Sequence, residues 1–322
     1  MKTLIILLTL TISLFAQSVG ESIYTNIILK DINAANKNLD SLNILVTKNA
    51  SDKEVKDAFK ELMMSWKRVE TLYLAADLDE DYIDIPRYID TFHEGKENIY
   101  IQLERILVSS DSLDIELFKN STKSINALEY LIFKTGEKTT RQKEMIAYVL
   151  KHIAKQLQLI ETFYQDNKKL FTLNAQKMNA YIMNALIESS YKLKEWRVGD
   201  PAGLSRKYKN EPKSTRSEYP VSKLSYSAVE AILLTHQAII GKQDFINFSN
   251  VVQNAGANKE LVKIRQSLKS ALKHLHLAPA YNFESQEIKE LYKELTILHT
   301  AYYISLIGVL KITSRILDSD GD

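Results

Sequence analysis

Apolar residues recur at steps of three and four along nearly the whole chain, and this spacing constrains the possible folds more than any other feature. In the first such segment, between Tyr24 and Val46, one face of a helix collects Ile28, Ile32, Ala35, Leu39 and Leu42. Comparable stripes follow up to residue 316, so the sequence predicts about ten helices. Glycine and proline number only nine and five among 322 residues. Because all-β folds use these residues in turns, we predict an all-α protein without a sheet.

Charge and cysteine content exclude several classes of function. The 42 basic and 40 acidic side chains leave a formal charge of +2. The chain therefore lacks the large excess of positive charge that is typical of proteins that bind DNA or RNA. The chain has no cysteine, so disulfides, thiolate metal sites, a cysteine nucleophile and a cysteine-linked lipid anchor are all excluded. We therefore expect neither a nucleic-acid partner nor a lipoprotein.

Residues 1–16 have the pattern of a secretory signal peptide. Lys2 supplies a basic start, the stretch from Leu4 to Phe15 is largely apolar, and Ala16 offers a small residue for cleavage. The apolar run is shorter than the roughly 20 residues that a transmembrane helix needs. No later segment of the sequence is long and apolar enough to span a membrane. The sequence therefore predicts export to the periplasm, with cleavage near Ala16.

Two stretches interrupt the helical pattern. Residues 77–95 are acidic, contain Pro86 and show weak periodicity, while residues 198–220 hold three of the five prolines. Loops of such length between helices are uncommon, and they are usually either functional or disordered. For residues 198–220 two interpretations stay open, namely a flexible linker and a surface that binds another protein of the cell envelope.

The chain also contains two pairs of similar segments, which occur in the same order in each half. These pairs are residues 65–70 with 190–195 and residues 124–133 with 225–234. Similarity that keeps its order is typical of an internal duplication. We therefore predict two similar helical bundles, residues 17–138 and residues 139–322, with a cleft between them.

Asn126 and Glu129 are the first candidates for a binding site. They lie three residues apart and project from one helix face, with Ser124 close to that face. The flanking residues are apolar, and a carboxylate among them is costly to bury unless it is paired or bound to a ligand. One interpretation is therefore a ligand site at Glu129. The other is a salt bridge between Glu129 and a nearby lysine or arginine.

The second copy of the repeat presents an equivalent polar triplet, formed by Ser225, Ser227 and Glu230. If the two bundles are related by pseudo-symmetry, the two acidic faces frame one cleft between them. The repeat therefore predicts that Glu230 lies close to Glu129.

The segment Ser124-Ile-Asn-Ala-Leu-Glu129 resembles the signature helix of the imelysin-like family, whose pattern is G-x-H-x-x-E followed by apolar residues. Residues 66–70 (WKRVE) resemble the early W-x-x-V-E helix of that family, and residues 89–92 (IDTF) resemble its I-D-F-W segment. Residues 192–203 resemble its K-L…P-G stretch, so the resemblance extends over most of the mature chain. It implies a two-domain, all-helical, exported bacterial protein linked to iron acquisition, in a family whose namesake is described as an insulin-cleaving metallopeptidase.

Two positions depart from the family motif. Ser124 stands where the motif has glycine, and Asn126 stands where it has histidine. A neutral imidazole suits transition metals, whereas an asparagine carbonyl is a weak, hard ligand better suited to calcium or magnesium. Glu129 is retained as a metal ligand, but the H-E-x-x-H spacing of zinc peptidases does not occur in the chain. We therefore expect a binding protein rather than an enzyme.

These observations together predict a periplasmic, non-catalytic binding protein connected with iron uptake. Its ligand, a small molecule or a divalent metal such as iron, zinc or calcium, would occupy the cleft between the bundles. The predicted lining residues are Asn126, Glu129, Ser225, Ser227, Glu230, Trp66, Glu70, Arg87, Asp90 and Lys192. The alternatives are a metallopeptidase of the imelysin type and an envelope scaffold that binds a partner protein through residues 198–220.

Overall fold

The computed structural model describes residues 18–94 and 97–313, and every regular element within these ranges is a helix. The predicted all-α class is therefore confirmed. No helix of the described ranges combines the length and the apolar character needed to cross a bilayer. The predicted signal peptide, residues 1–16, lies outside the described part of the chain, as does Ile316 at the end of the last apolar stripe.

Two long helices pack against each other in the first half of the chain, α2 (Leu29–Thr47) and α3 (Asp52–Thr71). The shorter helices of this half are α1 (Val19–Ile23), α4 (Ala75–Leu78), α5 (Ile85–Ile89), α6 (Ile99–Val108), α7 (Leu113–Glu116) and α8 (Ile125–Phe133). Short 3₁₀ turns at Glu80–Tyr82 and Ser121–Lys123 connect some of them.

Longer helices make up most of the second half. They are α9 (Thr140–Asp166), α11 (Ala175–Lys192), α13 (Ser225–Ile240), α15 (Asn258–Leu277) and α16 (Gln286–Thr300). The short ones are α10 (Leu170–Leu173), α12 (Asp200–Ala202), α14 (Phe248–Asn254) and α17 (Ile307–Leu310), with a 3₁₀ turn at Ser214–Arg216. Three segments are π-helical, Tyr24–Ile28, Leu193–Gly199 and Ala301–Leu306. Such turns are rare and are frequently found at functional sites.

Side-chain caps explain where several helices begin. The Ser51 hydroxyl accepts a hydrogen bond from the amide of Glu54, whose carboxylate accepts one from the Ser51 amide, so α3 opens with a capping box. Thr139 caps α9 through its hydroxyl, and Ser124 caps α8. The cap at Ser124 matters for the site, because it fixes the start of the helix that carries Glu129.

The buried apolar side chains form one connected core. Helix α9 packs along α2, and α13 packs against α3, so helices of the predicted second bundle lie directly on helices of the first. The predicted division after residue 138 stays a prediction, and the core continues across it. For the site, the important consequence is that α3 contacts both α8 and α13.

The long loop at residues 198–220 is a folded segment. The amide of Asn210 donates a hydrogen bond to the carbonyl of Gly203 at 2.8 Å, which closes a turn within the loop. Near the end of the loop Glu218 and Tyr219 are buried, at 4% and 0% exposure. The interpretation of this loop as a flexible linker is therefore wrong, and the loop delivers a charged side chain to the protein interior.

A substitution at Gly203 tests how tightly this loop is packed. It has a φ of +67°, and a Cβ added there would lie 2.6 Å from the backbone nitrogen of Pro212. We expect Gly203→Ala to lower the free energy of unfolding by more than the about 1–2 kcal/mol that a left-handed alanine costs by itself. Gly136→Ala is the matched control, because Gly136 has a φ of +99° with nothing within 4 Å of the added Cβ. Urea denaturation measures both variants, and equal losses would show that the turn at Pro212 shifts without cost.

Candidate functional site

Glu129 lies in the second turn of α8, a helix that is buried almost all round. The hydroxyl of Ser124 accepts a hydrogen bond from the Ala127 amide at 3.2 Å, which fixes the start of the helix. Leu128 and Leu131 are fully buried, and the Glu129 side chain is itself 0% exposed. The carboxylate therefore lies in the protein interior among apolar neighbours.

The two carboxylate oxygens of Glu129 have different surroundings. Oε1 accepts hydrogen bonds from the backbone amide of Ser222 at 2.7 Å and from its hydroxyl at 2.6 Å. Oε2 is buried and has no hydrogen-bond partner within the described ranges. The donors belong to the segment before α13 and are not lysine or arginine, which argues against the salt-bridge interpretation of Glu129. One carboxylate oxygen of Glu129 is therefore left without a partner in the described part of the chain.

Burial raises the pKa of Glu129 to about 7, although the hydrogen bonds from Ser222 and the nearby backbone of Val221 oppose part of this rise. The negative charge of Glu218 raises the pKa further. A carboxyl group with this pKa is partly protonated at neutral pH.

Two tyrosines from other elements lie within electrostatic reach of Glu129. Burial, followed by the charge of Glu129, raises the pKa of Tyr100 at the start of α6. Burial also raises the pKa of Tyr281, between α15 and α16, and the charge of Glu129 adds to this effect against an opposing hydrogen bond with Ser217. The Tyr281 hydroxyl lies 2.6 Å from Ser217 Oγ and donates to the carbonyl of Ser214 at 3.1 Å. The surroundings of Glu129 are thus rich in hydroxyl groups.

Asn126 supports the neighbouring segment at residues 90–92. Its side-chain oxygen accepts a hydrogen bond from the backbone amide of Thr91 at 3.0 Å, and the Thr91 hydroxyl lies 3.3 Å from Ser124 Oγ. Asparagine at the position of the motif histidine therefore joins α8 to this segment. The Thr91 hydroxyl also donates a longer hydrogen bond, at 3.4 Å, to the same oxygen, so both lone pairs of the Asn126 carbonyl face Thr91.

A group of charged side chains lies beside this segment. Lys67 on α3 is 0% exposed, and its ammonium group bonds to Glu70 at 2.8 Å and to Asp90 at 2.5 Å. It also bonds to Glu218 from the folded loop. The indole Nε1 of Trp66 donates to Asp90 at 3.1 Å. The segment after α5 is therefore joined to α3 by buried polar contacts.

Arg197 is the second cation of this group, and it lies in the π-helical turn Leu193–Gly199. Its Nε donates to Glu218 at 2.8 Å, and one terminal nitrogen donates to Glu70 at 2.9 Å. We refer to Lys67, Glu70, Asp90, Arg197 and Glu218 as the charged cluster. With all five groups ionised, its three carboxylates share two cations. The cluster connects α3, the segment after α5, the π turn and the folded loop.

The charged cluster has the geometry of a metal site, but it contains its own cation. Carboxylate oxygens of Glu70, Asp90 and Glu218 lie within 4.8 Å of one another, a spacing that a metal ion can bridge. The ammonium group of Lys67 bonds to all three of them. Burial favours neutral Lys67, but the three negative charges outweigh burial and raise its pKa. Lys67 therefore supplies the positive charge at this place.

Two further predicted site residues lie near the charged cluster. Ser225 is buried, and its hydroxyl accepts a hydrogen bond from the Tyr219 amide at 3.1 Å. Lys192 is close enough for its charge to contribute to lowering the pKa of Glu70. Trp66, Glu70 and Asp90, which the sequence also indicated, belong to the cluster or touch it.

Arg87, Ser227 and Glu230 make no described contact with Glu129. Arg87 is 59% exposed and forms its ion pairs at the surface. Glu230 accepts a hydrogen bond at 2.7 Å from His276, whose side chain is also 59% exposed. Ser227 is partly buried on α13. The closeness of Glu230 to Glu129 across a cleft therefore stays a prediction.

Sequence reasoning missed Lys67, Arg197, Glu218 and Ser222. Lys67 had a detectable signal, because it falls on the apolar stripe of α3 four residues after the buried Met63. A lysine at such a position indicates a buried acidic partner. The other three residues lie in a π turn and an irregular loop, which have no periodic pattern.

The helical fold and the buried glutamate motif define a class, and the chain belongs to the imelysin family. The Imelysin model (Peptidase_M75) matches residues 24–296. Among solved structures, the chain is similar to an imelysin-like protein from Psychrobacter arcticum 273-4, with a TM-score of 0.72 and 16% identity, covering 92% of this chain and 97% of that one. It is also similar to a putative iron-regulated protein A precursor from Parabacteroides distasonis ATCC 8503, with a TM-score of 0.70 and 12% identity, covering 91% and 93%. No curated protein matches the chain.

The charged cluster predicts a large effect of removing its central cation. We expect Lys67→Met to lower the free energy of unfolding by about 3–5 kcal/mol, because it leaves buried carboxylates without their partner. Lys53→Met on the same helix is the control, since Lys53 is 85% exposed and a solvent-exposed pair such as the one with Asp57 contributes little to stability. Chemical denaturation measures both variants, and a loss below about 1 kcal/mol for Lys67→Met would contradict a mutually dependent cluster.

The raised pKa of Glu129 predicts how stability depends on pH. The folded protein holds this proton more tightly than the unfolded chain, whose carboxyl has the ordinary pKa of 4.5. Stability from this group is therefore complete below pH 4.5 and is lost as the pH rises through about 7, by roughly 3 kcal/mol. We expect Glu129→Gln to flatten this part of the pH profile and to match or exceed the native stability at pH 8. Thermal unfolding across pH 5–8 tests this, and a marked loss for the variant at pH 8 would restore the salt-bridge interpretation.

Proposed function

We propose that this chain is an exported, non-catalytic member of the imelysin family that binds a ligand at Glu129 and works in iron uptake. The observation that carries the proposal is the buried Oε2 of Glu129, which has no partner in the described structure. The similarity to a protein described as an iron-regulated protein A precursor supports the connection with iron and with export. The signal-peptide pattern at residues 1–16 supports a periplasmic location.

The physical argument compares Glu129 with the other buried carboxylates. Asp90 and Glu218 bond to Lys67, and Glu218 also bonds to Arg197. The interior cations of this region are therefore already used by the charged cluster. Leaving a carboxylate buried without such a partner costs several kcal/mol. A bound ligand offsets this cost, which is why we assign the ligand site to Glu129.

The donor atoms near Glu129 fit a hard cation better than a soft one. They are carboxylate and hydroxyl oxygens, from Glu129, Ser222 and Tyr281, and oxygen is the donor that hard cations prefer. This set would hold an iron, calcium or other oxygen-seeking ion directly through Glu129 Oε2.

The environment of two histidines, His236 and His299, supports a non-catalytic role. His236 is fully buried, and its two ring nitrogens contact Tyr302 at 3.2 Å and Ser189 at 3.0 Å. The Nδ1 atom of His299 lies 2.9 Å from Ser190 Oγ. These two imidazoles contact residues of the second half of the chain. They therefore do not supply the histidine ligands of a zinc peptidase at Glu129.

Binding measurements test the assignment. Purified, chelator-treated protein is titrated with ferrous, ferric, zinc and calcium ions by calorimetry, with ferric iron supplied as its citrate complex. We expect one ion class to bind at one equivalent and Glu129→Gln to weaken this binding at least tenfold, which corresponds to about 1.4 kcal/mol. Glu104→Gln is the control, because Glu104 is a surface carboxylate that bonds to Lys134 and Tyr130.

Three outcomes of these measurements would change the proposal. Native affinity in Glu129→Gln for every ion would reject the site. An equal loss in Glu230→Gln would place a second carboxylate in the site, as the sequence repeat predicts. Cleavage of an unfolded protein substrate that requires both zinc and Glu129 would replace the binding role with a peptidase.

A further inference from the structure

We propose that the folded loop carries a basic surface that docks on the anionic lipid headgroups of a bilayer. This surface, which we call the basic patch, consists of the exposed side chains of Arg206, Lys207, Lys209 and Lys213. The inference goes beyond the proposed function, because it requires neither Glu129 nor a bound ion. It concerns the place where the protein is held, and not the ligand in its interior.

Positive charge is concentrated in this part of the chain. Residues 203–216 contain five lysine or arginine side chains and one acidic side chain, which gives a local charge of +4. The whole chain has a formal charge of +2, so all the other residues together have a charge of −2. The net charge of the protein therefore does not report this local excess.

The cations of the basic patch have no acidic partner. Among residues 18–94 and 97–313, none of the four side chains makes an ion pair or a hydrogen bond. The one acidic residue of the segment is Glu211, whose carboxylate lies 3.7 Å from the guanidinium group of Arg216. By contrast, the exposed Lys53 on α3 pairs with Asp57. The four charges of the basic patch are therefore available to an external anion.

The backbone beneath the basic patch has a fixed shape. The amide of Lys213 donates a hydrogen bond to the carbonyl of Pro201 at 2.9 Å, which adds to the turn that begins at Gly203. The guanidinium group of Arg216 packs on the ring of Tyr208, 3.9 Å from its centroid. The four cations thus project from an ordered loop, so binding does not have to order the backbone.

The shape and the residue types favour a flat anionic surface over an acidic peptide. Seven of the eight residues 206–213 are exposed, so this part of the loop projects from the protein, whereas a peptide is bound in a groove. Recognition of acidic or phosphorylated peptides typically uses arginine, whose planar fork binds two oxygens at once. Three of the four cations here are lysines, which act as hydrated point charges. Clusters of about four to eight lysine and arginine residues are typical of proteins that bind anionic lipids.

The number of charges sets the strength of this docking. One lysine or arginine near an anionic membrane strengthens binding about fivefold, so four of them strengthen it on the order of 500-fold. Salt weakens the attraction, because the Debye length falls from about 10 Å at 0.1 M to about 3 Å at 1 M. We therefore expect docking that is reversible and that is lost in high salt.

Vesicle sedimentation tests the proposal. Mature protein from the exported fraction is mixed at low salt with vesicles of phosphatidylcholine alone, or of equal amounts of phosphatidylcholine and phosphatidylglycerol. We expect the protein to bind the anionic vesicles only and to be released when salt is added. The triple variant Lys207→Glu, Lys209→Glu and Lys213→Glu should bind at least about a hundredfold more weakly, because three favourable charges are replaced by unfavourable ones.

The matched control reverses the same number of charges on another surface. Lys259, Lys263 and Lys269 are exposed on α15, and changing all three to glutamate alters the net charge by the same amount. We expect this control to bind nearly as well as the native protein, and circular dichroism checks that both triple variants keep their helical content. Unchanged binding of the loop variant would overturn the proposal. An equal loss in both variants would also overturn it, because binding would then follow net charge.

A site-specific label provides a second readout. The chain has no cysteine, so Thr215→Cys beside the basic patch and Gln266→Cys on α15, both at exposed positions, can each carry a single fluorescent label. Lipids with a quencher on the headgroup should quench the label at residue 215 more strongly than the label at residue 266. Equal quenching, or equal binding to neutral vesicles, would overturn the proposal. Preference for a glutamate-rich peptide over the anionic vesicles would overturn it in favour of a protein partner.

Discussion

The bonds between the Lys67 ammonium group and three carboxylates are the interaction on which the rest of this structure depends. A lysine with no exposed surface is tolerated because Glu70, Asp90 and Glu218 surround it. These partners come from α3, from the segment after α5 and from the folded loop, so one ammonium group fixes three parts of the chain against one another. The position of the segment after Glu218, which contributes the donors of Ser222, follows from this arrangement.

The charged cluster also explains why Glu129 is different. Lys67 and Arg197 are the cations near this part of the interior, and their hydrogen bonds go to other carboxylates. Glu129 receives hydrogen bonds from Ser222 on one oxygen only, and the nearby Glu218 adds an unfavourable negative charge. Burial is therefore the main cause of the raised pKa of Glu129, and no cation of the cluster offsets it, because Lys67 and Arg197 bond to other carboxylates.

Local sequence patterns were sufficient for the fold class but only partly for the site. The apolar spacing predicted helices, and the motif around Asn126 and Glu129 identified the buried carboxylate, because both depend on residues that are close in sequence. Arg197, Glu218 and Ser222 could not be found in this way, since a π turn and an irregular loop bring them to the site. The pairing of Glu230 with His276 could not be predicted either, because α13 is apolar around most of its circumference and its pattern does not show which edge meets solvent.

In the π-helical turn at Leu193–Gly199, the number of residues matters as much as their types. A π turn contains an extra residue compared with an α turn, and one residue corresponds to about 100° of rotation in an α-helix. A relative that lacked one residue here would turn the position of Arg197 away from Glu70, even if every charged side chain were kept. Alignments of distant imelysins that place a gap in this turn would therefore pair the wrong residues with the cluster, although the motif residues on α8 still aligned.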